Sequence, residues 1–298
     1  MEPDNLQALA SFYWNHFLAN RFSSEMRFKD AKIYRGEMLA RQSDVVYVLA
    51  CGASINDVSE KQWNEIRQHY SIGVNAFYVH EFTANAYFTE FSDNSYFQQL
   101  ISQCLFENTE RVGALKFISA YYSVVESSAY QKPNLSDPIF YSPDRIRIRD
   151  LELLKRIVNQ YYTIQNNSGR LLHQVSNVDV VINYCVTQGF KRIVLVGVDL
   201  NNDGYFWETR KDPRSVLAKQ FMDSFRAAKG EKKGGIHATA SVQQGKQLGR
   251  LNIVEYLGFL NRHILVEKGV TISVANPSSL LAEYLPVTQI PEFAENKS

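Results

Sequence analysis

Residues 191–205, KRIVLVGVDLNNDGY, constrain what this chain can fold into more than any other stretch. Positions 193–198 form one apolar run rich in β-branched side chains, with no polar residue alternating through it. A strand with one wet face would alternate; an unbroken run fits a strand covered on both faces, as in a parallel sheet layered by helices. The run ends at Asp199 and passes straight into Asn201, Asn202, Asp203 and Gly204, a turn-forming cluster. In open α/β sheets ligands lie beyond the carboxyl ends of the strands. A carboxylate followed by a polar loop at that edge is therefore the first place to look for chemistry. The structural alternative is a capped strand with a solvated turn.

The length of 298 residues suffices for one large α/β domain with a full core. The 32 basic and 31 acidic residues nearly cancel, which argues against a broad nucleic-acid surface. Cys51, Cys104 and Cys185 are widely spaced and odd in number, so neither a disulfide framework nor a CxxC-type metal site is expected. The acidic N-terminus lacks the basic and apolar regions of a signal peptide. No apolar run approaches the roughly 20 residues that span a bilayer. A cytoplasmic protein is expected, with any work at the inner membrane done peripherally.

Taken in order, residues 1–43 read as a helical arm, packed on the main domain or at a homo-oligomer contact. Residues 44–50, DVVYVLA, form a first buried strand that leads into Cys51, Gly52 and Ser54 and then a helix. This strand–turn–helix is the start of a Rossmann-like unit, where backbone can approach a phosphate or ribose. Further strands are expected at 71–74, ending at Asn75, and at 86–89, ending at Glu90. Others follow at 114–118, 192–198 and 270–274, the last running into Asn276 and Ser278. Residues 121–150 read as a long connection. Ser176 or Asn177 caps a helix that reaches Gln188, and Gly189 ends it. Residues 201–247 read as a long insertion, a lid, with glycines at 234 and 235 to let it close. A periodic helix over 248–265 and a tail over 287–298 complete an expected single mostly parallel α/β domain over 44–286.

Several blocks, LACGASI, GVN, AYFTE, GFKRIVLVGVDL, IHAT and ANPSSLLA, occur in the order and rough spacing of one family. In these the chain resembles the bacterial sialyltransferases of glycosyltransferase family 42 over residues 44–286. The resemblance implies a modified type A glycosyltransferase domain with a lid over a CMP-sugar. It implies an inverting transfer of a sialic or related nonulosonic acid to a glycan hydroxyl, in making lipooligosaccharide or capsule. His237 falls on the family's catalytic base, and Tyr205 on a tyrosine that hydrogen-bonds the leaving phosphate. Gly52, Ser54 and Asn75 match nucleotide contacts; Ser176 or Asn177 falls near another, and Asn276 and Ser278 lie in a block placed near the nucleotide. Cys51, Glu90 and Asn201 replace an asparagine, an asparagine and a tyrosine of the family, so the sugar could be pseudaminic, legionaminic or Kdo-like. Asp199 stands either at the site or beneath it, holding loop amides.

The residue types suit that chemistry. A histidine with an unperturbed pKa of about 6.5 can take the proton of an attacking hydroxyl. A CMP leaving group has one phosphate, which tyrosine and backbone donors can stabilise without a metal. The chain has no DxD motif, and Asp199 and Asp203 have the wrong spacing. The expected partners are a CMP-sugar donor and a glycan acceptor, with no metal, no cofactor and no nucleic acid. A non-catalytic nucleotide- or glycan-binding protein of the same fold and another nucleotide enzyme, such as a pyrophosphokinase, are the rival readings.

Overall fold

Runs that look uniformly apolar in the sequence prove to alternate between two cores. In strand β2, Val45–Leu49, Val46 and Val48 enter one core, while Val45, Tyr47 and Leu49 enter the other. Because helices cover both faces, no position of the strand is left for a polar residue. The structure, a computed structural model, describes residues 9–10, 12–14, 32–36, 39, 43–90, 95–119, 138–141, 143–164, 171–201, 204–229 and 236–293.

The main sheet comprises β1 (Lys32–Ile33), β2, β3 (Tyr70–Val74), β4 (Ala86–Glu90), β5 (Leu115–Ser119), β6 (Ile139–Tyr141), β9 (Arg192–Val196) and β10 (Thr271–Val274). Their order is β1-β6-β5-β4-β3-β2-β9-β10, and every neighbouring pair is parallel. A separate two-stranded parallel ribbon joins β7 (Asp144–Arg145) to β8 (Leu172–His173). Helices α1 (Glu60–Arg67), α2 (Ser95–Ile101) and α5 (Pro213–Lys229) contribute Trp63, Ile66, Phe97, Leu100 and Leu217 to one core. Helices α3 (Leu151–Ile164), α4 (Asn177–Thr187) and α7 (Ile253–Leu260) supply the other, with a short α6 (Val242–Gln247) ahead of α7. The protein is a single Rossmann-like α/β domain, as the strand pattern predicts.

Local chemistry sets the helix ends. Ser59, Ser176 and Asn252 each accept a first-turn amide, and Gln62, Asp179 and Glu255 reach back to close three capping boxes. Gly189, at φ 80°, follows α4 in the left-handed conformation expected of it.

Several boundaries differ from the sequence reading. The central strand stops at Val196, two residues early, because Gly197 turns at φ 73°; a Cβ there would lie 2.5 Å from Ile55 Cγ1. Part of the predicted 121–150 connection is sheet: Ile139–Tyr141, between Pro138 and Pro143, pairs with β5 and with β1. Such short strands owe their existence to partners remote in sequence. Lys32–Ile33, read as helix, is the edge strand of the sheet, while 9–10 and 12–14 are helical. Helix α7 begins at Ile253 rather than 248, since Asn252 caps it and Gly249 takes φ 64°. Most of the rest of the N-terminal arm, all of 121–137, Asn202, Asp203, Gly234 and Gly235 lie outside the described residues. Within the insertion expected to be a lid, Phe206 and Trp207 are fully buried and α5 packs on α2.

Candidate functional site

The topology opens one crevice. From β2 the chain steps through β3, β4, β5 and β6 to one side; from β9 it steps to β10 on the other. Between β2 and β9 the connections diverge, and in open α/β sheets ligands lie in the crevice beyond the carboxyl ends at such a point. Most of the predicted site residues fall on its rim.

Asp199 organises the β9 side. It is 5% exposed. Its Oδ2 accepts the Ser54 amide at 3.0 Å, and its Oδ1 accepts both the Ser54 hydroxyl and Asn276 Nδ2, the latter at 2.8 Å. Its carbonyl receives the Leu280 amide. One carboxylate thus ties together the turns after β2, β9 and β10. A Cβ on Gly52 would lie 2.4 Å from Asp199 Oδ2 and 2.6 Å from the Gly197 carbonyl oxygen. Glycine is required at 52 because Asp199 occupies that space, a reason internal to the fold. The chain of bonds continues: Asn276 Oδ1 accepts the Ser278 amide, and Asn201 Nδ2 donates to the Ser278 carbonyl at 2.8 Å. Ser279, the N-cap of the turn Leu280–Glu283, donates its hydroxyl to the Val198 carbonyl at 2.6 Å.

The β3 side is built differently. Cys51 is buried, its Sγ 3.4 Å from the Val74 carbonyl it donates to, and burial pushes its thiol well above the ordinary range. The next residue, Asn75, is exposed and left-handed at φ 55°. Its Oδ1 accepts from Asn177 Nδ2 at 2.6 Å. Ser176 is the N-cap of α4, and Asn177 its first residue. Asn177 is 4% exposed, and its Oδ1 meets no donor among the described residues. A buried acceptor of this kind at a helix N-terminus is costly unless something fills it. The loop before α4 is shaped by Asp179, whose carboxylate takes the amides of Gln174, Val175 and Ser176. Glu90 stands apart, exposed at the end of β4, two strands from β2.

Tyr205 and His237 come from the long insertion. The Tyr205 backbone bridges antiparallel to Gly52. Its ring stacks on Trp207 at 4.6 Å, with the Arg226 guanidinium 5.7 Å from the ring centre. His237 caps the turn Ala238–Ala240. Its amide donates to the Leu200 carbonyl at 3.1 Å, and its Nδ1 lies 2.9 Å from Thr239 Oγ1. The other histidines near the sheet are otherwise engaged. His173 is in β8 and pairs with Asp179 at 3.3 Å. His80 is packed among Trp63, Phe77 and Phe206, and burial, aided by Arg210, lowers its pKa to about 3. His263 lies against Phe259.

Sequence reasoning missed Leu200 and Thr239. Leu200, at φ 62°, shares with Asn75 a left-handed conformation found in no other non-glycine described residue. No local signal marks it, since leucine has no preference for that region. Among the described residues no group of three or more His, Cys, Asp or Glu side chains could hold a metal ion. No helix among them is long and apolar enough to cross a membrane.

No family model matches the chain, and no curated protein matches it in sequence. Among solved structures, the monofunctional alpha-2,3-sialyltransferase Cst-I from Campylobacter jejuni is similar at 14% identity and a TM-score of 0.46, over 88% of this chain and 86% of that one. The sialyltransferase CstII from Campylobacter jejuni, in complex with the substrate analogue CMP-3FNeuAc, is similar at 15% identity and a TM-score of 0.43, over 83% and 86%. A monomeric CstII is similar at 17% identity and a TM-score of 0.43, over the same shares. At these values the similarity fixes neither function nor site.

Proposed function

We propose that this protein is a glycosyltransferase that moves a sialic or related nonulosonic acid from a CMP-sugar to a glycan hydroxyl, with inversion and without a metal. The observation that carries the reading is the α4 N-terminus, where the buried Asn177 Oδ1 meets no donor among the described residues and its Nδ2 holds the exposed Asn75 beside the Cys51–Ser54 turn. Such a terminus attracts a phosphate, and the open acceptor suits an N–H or O–H of a nucleotide. His237, hung from the opposite side of the cleft through Leu200, supplies a titratable ring at the same edge.

In the reaction, the acceptor hydroxyl gives its proton to the His237 imidazole while its oxygen attacks the anomeric carbon. The bond from that carbon to the phosphate oxygen breaks, and CMP leaves with the electron pair. Backbone amides at the rim and the Tyr205 hydroxyl stabilise the departing phosphate. Asp199 touches no ligand; it holds the three turns that do. Cys51, Glu90 and Asn201, which depart from the family pattern, favour a nonulosonic acid other than N-acetylneuraminic acid. The acceptor belongs to a bacterial surface glycan, and the protein meets it at the inner face of the membrane.

Thermal shifts with CMP, CDP, UDP, NAD and S-adenosylmethionine test the reading, because a ligand that binds only the native state raises its stability by mass action. Selective stabilisation by CMP is expected, followed by transfer from a CMP-nonulosonic acid. A shift with NAD or S-adenosylmethionine alone would overturn it. CMP binding with neither transfer nor donor hydrolysis would show a non-catalytic binding protein.

A further inference from the structure

The geometry points to Leu200 as the positioning residue that sets His237 against the rim, an inference that rests on the reading of His237 as the base. Leu200 holds φ 62°, a region in which the Cβ of an L-residue crowds the following carbonyl. Asparagine tolerates this conformation, so Asn75 at φ 55° needs little explanation. A leucine there persists only where its surroundings over-determine it, and such residues gather at working sites.

The constraints on Leu200 come from both sides. Before it, Asp199 is held by Ser54, Asn276 and Leu280. After it, Asn201 donates to the Ser278 carbonyl. The Leu200 side chain is half-buried and leans on the core that also holds α4 and α7. The left-handed turn aims the Leu200 carbonyl at the His237 amide, 3.1 Å away. The Asp199 clamp and the imidazole are therefore one backbone unit: relaxing Leu200 to φ below zero turns that carbonyl away and unhooks His237. A glycine at 200 would adopt the turn without strain but would not hold it fixed, since glycine reaches many other conformations as readily.

The test compares Leu200→Val with Leu200→Asn in the full-length protein. Valine is β-branched and the costlier of the two in this region, whereas asparagine accepts it. Three quantities are read: hydrogen exchange at the His237 amide, kcat for transfer from a CMP-sugar at saturating donor, and CMP affinity. Leu200→Val should speed His237 amide exchange and lower kcat by about tenfold or more, while CMP affinity moves less than about threefold. Leu200→Asn should change the first two by no more than about threefold. Equal effects from both variants, a His237 amide still protected in Leu200→Val, or CMP affinity falling in step with kcat would each overturn the inference. Should Leu200→Val fail to fold, Leu200→Ala takes its place under the same criteria. If the wild-type protein binds no CMP or transfers nothing, the proposed function fails, while the exchange comparison still decides whether Leu200 holds His237.

Discussion

The two sides of the cleft contrast in how their polar groups are used. On the β9 and β10 side, Asp199, Ser54, Asn276, Ser278, Ser279 and Asn201 bond chiefly to one another or to backbone, and Asp199 and Ser279 are buried. On the β3 and β4 side, Asn75 and Glu90 are exposed, and at this edge Asn75 accepts a side-chain bond from Asn177 of α4. Closed polar networks rigidify what they join, while an unmet acceptor awaits a partner. One side is a clamp that holds the loops; the other is a surface that can take a ligand. Residues that look alike in the sequence, polar and at strand ends, thus divide into those bonded within the fold and those left exposed.

The largest effect should come from His237, which the clamp side presents. His237→Ala should lower transfer by about 10²–10⁴ while CMP affinity and melting temperature hardly move. A transfer rate within about threefold of wild type, far short of that range, would remove His237 from the chemistry.

Breaking the clamp itself should act on stability first. Asp199→Ala strips the Ser54 amide and Asn276 Nδ2 of their acceptor, and should cost on the order of 2–4 kcal/mol in urea denaturation. CMP affinity should fall only as the turns loosen. Lost affinity with unchanged stability would instead put Asp199 in contact with the ligand and erase the contrast between the two sides.

Asn75→Gly probes the open side, because glycine keeps the left-handed backbone while deleting the amide. CMP affinity should drop about tenfold with a stability change below about 1 kcal/mol. A larger loss of stability would show that Asn75 is a scaffold residue after all. Smallest of all should be the effect of a chelator: transfer in EDTA should stay nearly unchanged, and restoration by magnesium or manganese of an activity lost in EDTA would refute the metal-free reading.

Much of the architecture was legible in residue order. Strands are expected at 44–50, 71–74, 86–89, 114–118, 192–198 and 270–274. Parallel strands lie at Val45–Leu49, Tyr70–Val74, Ala86–Glu90, Leu115–Ser119, Arg192–Val196 and Thr271–Val274, because a sheet covered on both faces favours such largely apolar runs. Ser176 or Asn177 is expected to start α4 and Gly189 to end it, through capping chemistry that acts within a few residues, and Ser176 is the cap. The placement of Gly52, Asn75, Asp199 and Asn276 at strand ends followed from the same reading, and in a parallel sheet strand ends share one edge.

What the sequence by itself determined, then, was whatever depends on near neighbours: strand periodicity, helix ends and the edge on which polar residues gather. Only the tertiary structure decided which of those residues serve one another. Ile139–Tyr141 is a strand because β5 and β1 flank it, and Lys32–Ile33 because β6 does; neither has enough residues to signal itself. Gly52 is needed because Asp199, far along the chain, packs where its Cβ would be. Leu200 takes a left-handed turn, against its own preference, between Asp199 and Asn201, both of which bond to the loop after β10. Short-range preferences amount to about 1 kcal/mol per residue, and a network of buried hydrogen bonds between distant segments outweighs them.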